Sequence, residues 1–96
     1  MAGSRNSILV VADTAALREL LAMRVQGLGY EVATAGDGRE ALDMLRARPF
    51  DLILLDIMMP EINGYQVLEM MRADPQLSQI SVIVISALHE MDTIIR

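Results

Sequence analysis

The sequence predicts an α/β domain, a doubly wound parallel sheet with helices on both faces. Four short runs, at residues 8–11, 31–35, 52–55 and 82–85, alternate with segments whose apolar residues recur at helical spacing. Such alternation marks parallel strands joined by crossover helices. Three of the runs (ILVV, LILL and VIVI) are apolar at every position, as expected of strands covered on both faces. Ninety-six residues make a single domain, 1–96, able to bury only about 60–65% of its unfolded surface.

Each element has its own signal. The second run, EVATA, mixes polar and apolar residues, which places it at a sheet edge. Between the first two runs, Leu17, Leu20, Leu21, Val25 and Leu28 form an apolar helical stripe, with Arg18, Glu19 and Arg24 largely opposite it. Gly29 follows as the C′ residue. A second helix over about 38–46 buries Ala41, Leu42 and Leu45 and stops before Pro49, which the preceding residue cannot meet in helical geometry. A third carries Tyr65, Val67, Leu68 and Met71 and ends near Asp74-Pro75. A fourth starts around His89 and runs on to Arg96 without a C-cap, glycine or proline to stop it.

Composition narrows the function. A net charge of −5 argues against nucleic acid, whose phosphates demand a clustered positive surface. The absence of cysteine removes disulfides and thiolate metal sites and suits a reducing cytoplasm. No apolar run approaches the ~20 residues that span a bilayer, and Asp13 ends the first run too early for a signal peptide.

Chemistry is expected beyond the carboxyl ends of the central strands, where doubly wound sheets bind ligands. Asp13 follows the first strand and Asp56 closes the third, so two carboxylates converge at one rim. At a separation of ~4 Å they repel by up to ~4 kcal/mol at an effective dielectric near 20, relieved by a proton or by a cation. Oxygen-only donors, few in number and open to solvent, suit Mg²⁺, which keeps several of its waters. Either aspartate alone reads equally well as a solvated turn or capping residue; it is the pairing that points to a site.

These residues resemble the bacterial response regulator receiver domain. The resemblance rests on Ile8-Leu9-Val10-Val11-Ala12-Asp13, on Asp51-Leu52-Ile53-Leu54-Leu55-Asp56-Ile57-Met58-Met59-Pro60, on Gly64, and on Val82-Ile83-Val84-Ile85-Ser86-Ala87. It implies a flavodoxin-like fold with strand order 2-1-3-4. It implies further that Asp56 accepts a phosphoryl group from a histidine kinase or phosphotransfer protein. Mg²⁺ would be held by Asp13, Asp56 and the Met58 carbonyl, the Ser86 hydroxyl would meet the phosphate, and Ala87 would leave room for its entry. Such a domain is a signalling module rather than an enzyme; the aspartate-nucleophile phosphatases need a second acid two residues after the first, where this sequence has Met58. Pro60 and Gly64 also read structurally, as a rigid loop and a helix start.

The sequence departs from the family in two places. Ala12 stands where the family has the first of an acidic pair, so Mg²⁺ binding is expected to be weakened. The family's fifth strand, with its terminal lysine, and the last helix are missing, and the chain has no lysine at all. The run at 82–85 is therefore expected to form a bare apolar edge, inviting a homodimer or an exchange of elements near residues 88–96. A degenerate receiver that works as a phosphorylation-independent interaction or dimerisation module is the alternative. A flavin- or nucleotide-binding protein of this fold would need a phosphate loop after the first strand, which is absent. Gly36-Asp37-Gly38 reads as a turn and helix cap, His89 as a surface residue, and the methionine pairs as packing.

Overall fold

The computed structural model describes residues 6–57, 63–85 and 93–95. Strand β1 (Ser7–Val11) leads into helix α1 (Ala15–Gly27), β2 (Glu31–Ala35), α2 (Gly38–Ala47), β3 (Leu52–Asp56), α3 (Gly64–Ala73), β4 (Ser81–Ile85) and β5 (Thr93–Ile95). The sheet order is β2-β1-β3-β4-β5, with β1 to β4 parallel and β5 antiparallel to β4. The order 2-1-3-4 and the edge position of β2 are as expected.

Side chains alternate between the two faces of the sheet. Leu9, Val11, Ile53, Leu55, Val82 and Val84 point to one face and pack with Ala41, Leu42 and Leu45 of α2 and Val67 and Met71 of α3. Ile8, Val10 and Leu54 point to the other, where Val25 and Leu21 of α1 meet them. At the amino ends of the strands, Asp51 donates its N–H to the Ser7 carbonyl and accepts the Ser7 N–H on Oδ2, both at 2.8 Å, which ties β1 to β3 in register.

The helix ends follow their local chemistry. Gly29 adopts φ +100° after the Leu28 C-cap and donates to the Gln26 carbonyl, a left-handed turn that glycine makes without a Cβ penalty. Asp37 caps α2 by accepting from the Glu40 N–H at 2.8 Å, as the turn-and-cap reading of 36–38 requires. Asn63 and Gln66 form a reciprocal capping box on α3.

Three expectations are corrected. Residues 93–95 are a strand, not the continuation of a helix from His89; three consecutive β-branched residues favour the pleated conformation, and an apolar strand edge supplies them with hydrogen-bond partners. Strand β4 is consequently not the bare edge of the sheet, because β5 pairs with it from Val82 to Val84. Lastly, Leu20, Leu28 and Tyr65 are exposed, the last two at 75% and 59%. The residues of α1 that meet the sheet are Leu21 and Val25, four apart on one face, and Leu20 and Leu28 fall outside it. Residues 86–92, where the fourth helix was expected to begin, lie outside the described residues.

Candidate functional site at the carboxyl rim of the sheet

The register Val11↔Leu55 sets the ends of β1 and β3 side by side, so Asp13 and Asp56 leave adjacent strands at one rim. Asp56 is 2% exposed and is the one buried charged residue among those described; Asp13, one step past the buried Ala12, is exposed. The rim thus has a fixed, enclosed carboxylate and a second one reachable from solvent. The Ile57 N–H donates to the Ile85 carbonyl at 3.0 Å, which draws the exit of β4 to the same place. Met58, Pro60, Ser86 and Ala87 lie outside the described residues.

Gly64 closes the rim from the α3 side. Its N–H donates to the Ile57 carbonyl at 3.1 Å, and a Cβ added there would stand 2.7 Å from the Asp56 carbonyl oxygen and 2.8 Å from the Ile57 Cα. Both neighbours are backbone, so neither can swing aside. Glycine is required here because α3 begins in contact with the segment that carries Asp56. The spacing of eight between Asp56 and Gly64 has this close approach as its physical content.

One residue of the rim escaped sequence reasoning. Arg18, placed on the polar side of α1 from its spacing, sends Nη1 back to the Ala12 carbonyl at 2.8 Å. The signal was available: Arg18 sits in the first turn of α1, where the helix dipole disfavours a cation. A basic residue in that position points to a partner elsewhere in the fold.

The donors fit a hard divalent cation. Among the described residues no cluster of three or more His, Cys, Asp or Glu forms a ready-made cage. Two carboxylates at a rim open to solvent on the Asp13 side match an ion such as Mg²⁺ that is held by one or two carboxylates and retains water. Soft or transition metals find neither thiolate nor imidazole among these donors.

Comparison with known proteins agrees with this fold. Residues 8–96 match the response regulator receiver domain family. The probable transcriptional regulator ycf27 of Porphyra purpurea is 40% identical over 91 residues, 95% of this chain and 36% of its own length. The DNA-binding response regulator MtrA of Mycobacterium leprae is 46% identical over 70 residues, 73% of this chain and 31% of its own length. The chain thus spans about a third of the length of these curated relatives. Among solved structures, the response regulator TrrA of Thermotoga maritima, in complex with Mg²⁺-BeF, superposes with a TM-score of 0.80 at 39% identity, over 85% of this chain and 70% of that one. The chemotaxis protein CheY4 of Vibrio cholerae gives 0.81 at 32% identity, over 84% and 68%. The chain belongs to the response regulator receiver domain family of two-component signalling systems.

Proposed function

We propose that this domain receives a phosphoryl group on Asp56 with Mg²⁺ bound at the rim, and takes it from a histidine kinase or phosphotransfer protein. The observation that carries this reading is the buried Asp56 carboxylate at the end of a central strand, beside the strand that leads into Asp13. A carboxylate oxygen of Asp56 attacks phosphorus, the bond from phosphorus to the donor breaks, and the donor leaves with its electron pair. A carboxylate is a weak nucleophile, and the incoming group is itself anionic. Mg²⁺, when bound, offsets that charge and holds the group in line.

This chain's own residues provide the frame. Asp13 and Asp56, with the Met58 carbonyl, are the proposed ligands, and the Ser86 hydroxyl is the proposed contact of the arriving phosphate. The contact of Gly64 with the Asp56–Ile57 backbone keeps the nucleophile from shifting with the loop.

The test is intact-protein mass measurement after incubation with acetyl phosphate and Mg²⁺. The expected result is addition of one phosphoryl group, absent in Asp56→Asn and absent when EDTA replaces Mg²⁺. Labelling that persists in Asp56→Asn would move the acceptor elsewhere. No labelling of the folded protein would leave the alternative of a phosphorylation-independent interaction module.

A further inference from the structure

Arg18 lies where its charge is locally unfavourable, in the first turn of α1, and its guanidinium turns away from solvent to the Ala12 carbonyl. Ala12 is fully buried, and its N–H donates to the Ala35 carbonyl of β2 at 3.2 Å. The residue before Asp13 is thus gripped from both sides, by β2 through its N–H and by α1 through its carbonyl. Between that residue and α1 stand only Asp13 and the Thr14 N-cap, whose side chain makes no capping bond. The main-chain tie at that end is the Arg18 N–H to the Thr14 carbonyl at 2.9 Å. Arg18 therefore holds both ends of the two-residue segment, one with its side chain and one with its backbone.

We propose that Arg18 is a positioning residue of the metal rim, fixing the Ala12–Asp13 backbone so that the Asp13 carboxylate is held toward Asp56. The inference rests on the reading of that rim as a Mg²⁺ site. It accounts for a carboxylate that is exposed and yet expected to serve as a ligand: Asp13 is ordered through the peptide next to it. In metal sites the groups that orient a ligand matter nearly as much as the ligands. A plain charge effect has the opposite sign, since a cation near the rim repels Mg²⁺. Glu40 Oε1 accepts the Gly36 N–H at 2.8 Å at the end of β2. Arg18 Nη1 and Glu40 Oε1 lie 3.5 and 3.7 Å from the point where a Gly36 Cβ would stand.

The opposite signs make the experiment decisive. Mg²⁺ is titrated into the folded wild-type protein, Arg18→Met, Arg18→Lys and Asp13→Ala, each well below its unfolding midpoint, with amide chemical shifts as the readout. Arg18→Met is expected to bind Mg²⁺ ~10-fold more weakly, and Arg18→Lys, which restores a charged donor, to recover most of that loss. Unchanged or tighter binding in Arg18→Met would overturn the proposal. If Arg18→Met does not fold, Arg18→Leu is titrated in its place: a ~10-fold loss in the folded variant supports the proposal, and affinity at the wild-type level overturns it. Wild-type binding that survives unchanged in Asp13→Ala would instead overturn the reading of the rim itself, which separates the two failures.

Discussion

The two faces of the sheet are built from the same strands and are finished to different degrees. On the face beneath α2 and α3, Leu9, Ile53 and Leu55 are completely buried and Val82 and Val84 nearly so. On the face beneath α1, Ile8, Val10 and Leu54 are buried, but Leu52, Ile83 and Ile85 are only half-buried. Alternate residues of one apolar strand therefore have different worth. Hydrophobicity in the sequence gives the capacity for burial, and the helices overhead decide how much of it is used. The rim belongs to both faces, and its precision derives from the complete one, where α3 abuts the Asp56 segment.

The comparison is broken most forcefully by truncation in the two faces. Ile53→Ala is expected to lose ~2–5 kcal/mol, because a fully enclosed side chain leaves both a transfer loss and a cavity. Ile83→Ala, already partly in water, is expected to lose less, ~1–2 kcal/mol, in proportion to the smaller area it buries and with less of a cavity. Urea unfolding of the two variants measures the difference, and equal losses would show that the α1 face is as closed as its opposite.

Gly64→Ala comes next, with an expected loss of ~1–3 kcal/mol from overpacking. Its Cβ would meet unyielding backbone at 2.7 and 2.8 Å. The same variant should perturb the amide resonances of Asp56 and Ile57, and a silent spectrum would remove Gly64 from the description of the rim.

Much of this was legible before any coordinates. The apolar runs suited strands covered on both faces, the mixed EVATA suited an edge, and Asp37 stands where a helix cap was expected; the Asn63 cap of α3 went unread. What else escaped depended on contacts distant in sequence. Thr93-Ile94-Ile95 is too short to show a period, and it becomes a strand because β4 offers it a ladder. Tyr65 and Leu28 are apolar residues left in water, which composition alone does not forbid. The partner of Arg18 lies six residues back, off the helix, where helical spacing gives no sign of it. Both aspartates were legible as a pair because strand ends in a parallel sheet converge by topology, whatever the side chains nearby.

Smaller effects sharpen the picture on the α2–α3 side. Asn63→Ala removes one half of the capping box and should lower stability by ~1 kcal/mol. Arg46→Ala should be close to neutral, within ~0.5 kcal/mol, because the Arg46 Nε to Asp74 Oδ2 pair at 3.6 Å is largely exposed. Thermal or urea midpoints check both. A larger effect at Arg46 than at Asn63 would mean that α2 and α3 are joined by that ion pair rather than by their common apolar core.

Whether the buried carboxylate at the end of β3 is the acceptor is decided by locating the phosphoryl group. After treatment with acetyl phosphate and Mg²⁺, borohydride reduces an aspartyl phosphate to homoserine, and peptide mass spectrometry places the reduced residue. Homoserine is expected at position 56 alone, dependent on Mg²⁺ and lost in Asp13→Ala. Reduction at Asp13, Asp37 or another exposed carboxylate, with Asp56 recovered unchanged, would contradict it.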